Sequence, residues 1–334
     1  MIHNHYHGTY DVIVAGGGIA GLAAAVTSAR LGKKTLLIER YGFLGGLATA
    51  GLVNPFMTHR SSTGQPLISG FFDNLCSRLE EFGGIKGSTF DSESMKFAAQ
   101  EMALDAGVHL LLHSWVKEAV VVDGAIRGLR VVDKSGEVEY SADRVIDATG
   151  DGDVAVSAGA SYQSGGEDGY PQATTMMFDV GGVDLAEALA YVKSRPDQFR
   201  FPVLSPDVDP VKLSKEVISV AGYYDLVARA RERGEYSLPG DLIFYISRPR
   251  PGEVVFNTTH VGMVDGTKSQ DLTRAEIEGR RQASALVKFV RNYIPGFKNA
   301  YLLRMAAQIG VRETRRIIGE YLQCRRCNRG SQTS

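Results

Sequence analysis

Gly16, Gly18 and Gly21 stand in the spacing Gly-x-Gly-x-x-Gly, and a carboxylate, Glu39, closes the next apolar run after them. Residues of these types suit gripping rather than bond-making. Glycines let main-chain amides approach a pyrophosphate, and an acid at this distance can accept the hydroxyls of an adenosine ribose, a charge-assisted contact of about 1.5–3 kcal/mol. A carboxylate there disfavours a ribose that carries a phosphate.

The elements that must position these groups are legible around them. Asp11 to Ala15 is an apolar run of strand length, and Ile19 to Leu31 is an alanine-rich helix whose first turn points unpaired N–H groups and a positive dipole end at the phosphates. Lys33 and Lys34 break the apolar pattern before a second strand, Thr35 to Ile38. Gly16 turns the chain out of the first strand, Gly18 leaves room for the pyrophosphate, and Gly21 lets helix and sheet pack closely. No charge occurs from Val12 to Ala29, yet three consecutive glycines and a face of alanines argue against a membrane span.

Composition sets the outer limits. The 334 residues are 44% hydrophobic and 22% charged, enough for two packed domains. With 37 basic and 38 acidic residues the net charge is −1, which supplies no general pull toward nucleic acid or anionic membrane. Cys76, Cys324 and Cys327 are too few for a disulfide framework, and Met1 to Tyr10 has no secretory pattern, so a cytoplasmic location is expected.

Beyond the first unit, Tyr41 to Val53 is rich in glycine and small residues, which suits backbone lying against a ligand. Helices are expected over Leu67 to Phe82 and from Asp91 to a stop at Gly107, with a strand from Val108 to His113. Lys117 to Val122, Ala125 to Asp133 and Glu137 to Ala142 read as a β-meander turning at Asp123-Gly124 and Lys134-Ser135-Gly136, inserted into a parallel α/β domain. Val145 to Ala148 is a further strand ending at Thr149-Gly150-Asp151-Gly152-Asp153. In the second region, strands are expected over Ala173 to Val180, Leu242 to Ser247 and Glu253 to Thr259, and helices over Leu185 to Lys193 and Lys212 to Arg233. Thr273 and Glu276 are placed as the capping box of a helix carrying Leu286, Phe289, Val290 and Tyr293 and stopped by Pro295-Gly296, with a return to the first domain near Ala300.

Four stretches, Asp11 to Glu39, Phe43 to Thr49, Asp147 to Asp153 and Gly310 to Tyr321, together resemble the FAD-dependent oxidoreductase family with the glutathione-reductase-type FAD fold. The resemblance implies an α/β protein: a Rossmann-like FAD-binding domain from residues 1–160 and 295–334, with parallel sheet and inserted meander, and a second α+β substrate domain over 161–294. It implies FAD as cofactor and hydride transfer with a small organic substrate held between the domains. Gly16, Gly18 and Gly21 would hold the pyrophosphate, with Ile19 and Ala20 at the helix start, and Glu39 the ribose, with Arg40 beside it. Gly45, Gly46, Ala48 and Thr49 would run along the ribityl chain and ring. Val116 would meet adenine, and Ala148, Thr149 and Gly150 would bring a second backbone stretch, its loop fixed by Asp151. The family continues past the Gly319-Glu320-Tyr321 element into a segment that closes the flavin site, whereas Gln323 to Ser334 lacks strand or helix patterning, so a truncated and weakened site is expected. A non-catalytic flavin-binding fragment and an NAD-linked dehydrogenase are the competing readings.

Remaining candidates are few. His260 and Arg312 are placed as acid/base group and anion clamp, and Tyr301 and Trp115 as packing residues. His3, His5 and His7, and the Cys324-x-x-Cys327 pair, have spacings a metal could use, but a solvated terminus and an unpatterned tail lead to no expected metal. Six arginines against two glutamates between Arg312 and Arg329 suggest a solvated helix face or attraction to an anionic ligand rather than nucleic acid, since no aromatics are interleaved.

Overall fold

The computed structural model describes residues 8–166, 171–201, 204, 207 and 209–319. His3, His5, His7, Cys324, Cys327 and the arginines beyond residue 319 lie outside the described residues.

The first apolar run forms the strand Tyr10–Ala15, the centre of a six-stranded sheet. Thr35–Ile38 pairs with it in parallel on one side, and His109–Leu111 extends that side. On the other side lies Gly136–Asp147, parallel to Tyr10–Ala15 through Tyr10–Ala142 to Ala15–Asp147. The sequence reading divides this stretch into two strands. One continuous strand is observed, because its first half closes the antiparallel meander against Ala125–Asp133 while its second half feeds the parallel sheet. Trp115–Val122 completes the meander as the outer strand of the same sheet. Asp123 and Gly124 both have positive φ, 51° and 75°, the backbone a two-residue hairpin requires. Helices Ile19–Arg30 and Ser92–Asp105 cover one face, the latter capped by Asp91, whose carboxylate accepts from the Ser94 N–H at 2.9 Å.

The second sheet is antiparallel throughout, in the order Phe199–Phe201, Ser219–Gly222, Ile243–Ser247, Val254–Phe256, Phe178–Gly181, Tyr301–Met305. Three expectations change here. The helix placed over Lys212 to Arg233 is broken into Pro210–Leu213, the strand Ser219–Gly222 and the helix Tyr224–Glu232. The β-branched stretch before Gly222 prefers a sheet, and a Cβ on Gly222 would stand 2.2 Å from the carbonyl of Gln198 on the neighbouring strand's approach. The long helix runs Ser269–Tyr293, so Thr273 and Glu276 lie inside it and form no capping box; the Thr273 hydroxyl donates to the Ser269 carbonyl. The chain near Ala300 stays in this sheet as Tyr301–Met305, paired with Phe178–Gly181. It already touches the first unit there, through Arg304 to Asp91 and then through the Ala307 and Gln308 N–H groups to the Ala50 carbonyl, before Arg315–Ile317 pairs with Tyr162–Ser164.

One further boundary moves. The helix expected from Leu67 begins at Phe71, after Gly70 at φ 70°, whose N–H is accepted by Asp73. No helix among the described residues is long and apolar enough to cross a membrane.

Candidate functional site

Strand, glycine turn and helix meet at the carboxyl end of Tyr10–Ala15, where open α/β sheets place their ligands. Gly16 turns at φ 100°, and a Cβ there would stand 2.4 Å from the Ala148 carbonyl. A Cβ on Gly21 would stand 1.8 Å from the Gly16 carbonyl, so this glycine sets how closely the helix approaches the turn. Gly18 is different. Its hypothetical Cβ meets nothing nearer than the Gly46 Cα at 3.8 Å, which leaves the backbone bare toward the cavity. The helix Ile19–Arg30 has no side-chain cap at Gly18 and no acid in its first turn. Its amide end is therefore available to an anion.

Glu39 is buried beside this turn. One carboxylate oxygen accepts the Gly17 N–H at 2.6 Å and the other the Tyr41 N–H at 2.9 Å. A carboxylate has about four lone-pair positions, so the group that braces the loop still has acceptor capacity for ribose hydroxyls. The second glycine stretch crosses the first: the Gly45 N–H donates to the Gly17 carbonyl at 2.8 Å, and Gly46 lies against Gly18. The Thr49 hydroxyl donates to the Leu44 carbonyl at 2.8 Å and shapes that turn from behind.

The loop after Gly136–Asp147 forms the opposite lip. Asp147, rather than Asp151, holds it: its carboxylate accepts the Thr149 N–H and hydroxyl at 3.1 and 2.7 Å and the Ala155 N–H at 2.9 Å. Asp151 instead accepts the Thr314 hydroxyl at 2.6 Å, tying the lip to the returning chain. Burial raises the Asp151 carboxyl above the ordinary aspartate range, partly offset by that hydroxyl.

Together these surfaces enclose a cavity of about 640 Å³. Gly16, Gly18, Glu39, Arg40, Gly46, Val116, Ala148, Thr149, Gly150, Asp151 and Arg312 line it. Ile19, Ala20, Gly21, Gly45, Ala48 and Thr49 do not line it; Ile19 and Ala20 open the helix, and Gly21, Gly45 and Thr49 shape the turns beside the wall. His260 is not part of the wall either. Its side chain is exposed, and its backbone is held on both sides by the Gln282 amide at 2.8 and 3.0 Å. Arg312 faces the cavity while its guanidinium donates to the Ala173 carbonyl and the Thr175 hydroxyl, both at 3.0 Å. Farther along the chain, Arg315 pairs with Asp153 and Arg316 with Glu313, in strand rather than helix.

The sequence reading misses part of the wall. Tyr41, Leu47, Ser114 and Trp115 line the cavity from the first unit, and Leu272, Glu276, Gln308, Ile309 and Val311 from the second. Trp115, expected to pack, is 54% exposed. Gln308 spans the two units, accepting from Arg40 at 2.7 Å and from the Tyr41 hydroxyl. Burial raises the Tyr41 phenol above its ordinary value, so it remains a donor. Glu276 accepts the Ile309 N–H at 2.7 Å, and this bond holds the chain from 307 to 311 against the opening. Glu276 and Trp115 have individual sequence readings, as a cap and as a packing residue, while Tyr41, Leu47 and Val311 lie within stretches read as ligand-facing or as part of the resemblance.

A parallel sheet with a bare glycine turn, a buried acid and a second antiparallel sheet across the opening defines a two-unit, Rossmann-like dinucleotide-binding protein. The chain belongs to the FAD dependent oxidoreductase family, which it matches over residues 11–326. FAD is the cofactor of that family, and the uncapped helix end, the bare Gly18 and the spare acceptor capacity of Glu39 fit its AMP half. The match carries the family and does not single out its glutathione-reductase-type group.

Thiamine thiazole synthase of Methanococcus aeolicus is 32% identical over 151 residues, 42% of this chain and 54% of that protein. Digeranylgeranylglycerophospholipid reductase 2 of Methanothermobacter thermautotrophicus is 27% identical over 195 residues, 53% of this chain and 48% of that protein. The chain thus spans about half the length of these relatives. Among solved structures, a flavin-dependent brominase superposes with a TM-score of 0.52 at 13% identity, over 88% of this chain and 65% of the other. A geranylgeranyl bacteriochlorophyll reductase-like protein from Thermoplasma acidophilum gives 0.50 at 16%, over 90% and 66%. At such identities these structures show a shared fold.

Proposed function

We propose that the chain binds FAD in the cavity between its two sheets and carries out hydride transfer between the flavin and a small organic substrate. The observation that carries this reading is one continuous opening: glycine turn and Glu39 at one end, Gly46 and Ala148 to Asp151 along the middle, and residues of the second unit on the far wall. When bound, the flavin supplies the redox chemistry and accepts or gives the hydride. The protein's part is to bind, orient and exclude water. Amides of the helix Ile19–Arg30 and Gly18 take the pyrophosphate, and Glu39 takes the ribose hydroxyls. Leu272, Ile309 and Val311 offer apolar surface to the substrate's carbon skeleton. Arg312, oriented by Thr175 and the Ala173 carbonyl, offers positive charge to an anionic group on it. A soluble cytoplasmic setting is part of the same reading, supported by a chain of only three cysteines.

The test is to purify the chain, denature it, and identify what is released by chromatography and absorbance. FAD in near-equal amount to protein is the expected result. Release of NAD, or no gain in thermal stability on adding FAD, would overturn the proposal.

A further inference from the structure

Gln308 joins the two units across the cavity. Its carboxamide oxygen accepts the Arg40 Nη2–H at 2.7 Å and also the Tyr41 hydroxyl, and all three residues line the opening. The two donors are set for one acceptor, because the Arg40 guanidinium lies over the Tyr41 ring, its carbon 5.1 Å from the centroid. Depth places this bridge above the acid. Glu39 is buried, whereas Arg40 directly after it is exposed and Tyr41 and Gln308 are half-buried, so the bonds run on the solvent side of the Glu39 carboxylate. The main chain that carries the glutamine is fixed separately. The Ala307 and Gln308 N–H groups donate to the Ala50 carbonyl at 2.7 and 3.2 Å, and the Ile309 N–H to Glu276 at 2.7 Å. Release therefore needs only a rotation of the Gln308 side chain, and it breaks a cation-to-amide and a hydroxyl-to-amide bond, neither of them an ion pair.

We propose that Gln308 is a strap: bonded to Arg40 and Tyr41 it closes the cavity over Glu39, and its release lets the AMP half of the cofactor in or out. The proposal rests on the flavin reading above and adds a gate to it. A strap that forms whether or not the site is filled sets how often the opening is passable, not how well the ligand fits. Both exchange rates then scale with the open fraction, and affinity does not.

The test follows FAD binding to, and release from, the cofactor-stripped full chain by stopped-flow flavin fluorescence. Gln308→Ala removes both bonds and should raise the association and dissociation rates together, each about tenfold, with Kd held within about twofold. Tyr41→Phe keeps the ring and the Arg40 bond, so both rates should rise by a smaller factor, about threefold. An ordinary contact with the cofactor behaves differently, since its loss raises dissociation alone and weakens Kd by the same factor. Should Gln308→Ala not fold, the paired rise in Tyr41→Phe decides. Dissociation raised alone, or both rates unchanged, overturns the strap and leaves the flavin reading intact. Failure of the unaltered chain to bind FAD overturns both.

Discussion

At the scale of single residues, Glu39 has two duties that a substitution can separate. It braces the glycine turn through Gly17 and is the acid assigned to the ribose. Glu39→Gln keeps an acceptor of the same shape and should weaken FAD roughly tenfold, while Glu39→Ala also orphans the buried Gly17 N–H and should weaken it nearer a hundredfold. Equal, unchanged affinities in an equilibrium titration would remove the ribose role. Asp151 provides a pH signature. Burial raises its carboxyl in the folded state, so the stability linked to it is fully present below the unfolded aspartate value of about 3.9 and is lost as pH rises through the folded value. Asp151→Asn should therefore be the more stable chain near neutrality, with the difference in Tm shrinking toward pH 4. A difference that grows on acidification would contradict the buried acid.

At the scale of elements, the turn between the first strand and first helix admits no extra atoms. A Cβ at Gly21 would fall 1.8 Å from the Gly16 carbonyl oxygen and 3.1 Å from the Ala148 Cβ, neither of which can swing aside. Gly21→Ala should lower unfolding stability by about 3 kcal/mol and reduce flavin retention together, as read by denaturant midpoint and bound-flavin absorbance. Normal stability with normal flavin content would mean that the helix can slide on the sheet. The long helix shows the opposite economy of signal: its start at Ser269 puts Glu276 one face inward, onto Ile309 and the cavity, instead of at a cap.

At the scale of the two units together, the seam is held by charge. Asp179, 0% exposed, accepts the Arg248 Nε–H at 2.8 Å and the Arg304 Nε–H at 2.7 Å, and Arg304 reaches across to Asp91 and Glu93 at the start of the helix Ser92–Asp105. Arg248 also donates to the Phe90 carbonyl at 3.0 Å. Removing the shared carboxylate leaves two guanidinium groups without it, one of them fully buried. Asp179→Ala should cost about 3–5 kcal/mol in denaturant unfolding, with Arg248→Met in the same chain recovering part of that loss. For Asp91, burial alone would raise the carboxyl, but the Ser94 N–H and Arg304 outweigh it and hold it below the ordinary range. Its contribution is thus present above the unfolded value near ~4 and lost as pH falls through the folded one. Acid unfolding of Asp91→Asn should begin less steeply than that of the unaltered chain.

Much of the glycine-turn side of the cavity is readable from order along the chain, because a pyrophosphate turn needs bare backbone at fixed offsets between one strand and one helix. Gly16, Gly18, Glu39 and the stretch from Ala148 to Asp151 are local solutions to local requirements, and they line one cavity. The rest of the wall has no such local rule. Tyr41, Trp115, Glu276 and Gln308 meet only because a strand edge, a long helix and a returning chain pack around one opening, and His260 is excluded for the same reason. Periodicity could not place the strand Ser219–Gly222 either, since a short β-branched run between helices becomes a strand only when a neighbouring edge is there to receive its hydrogen bonds.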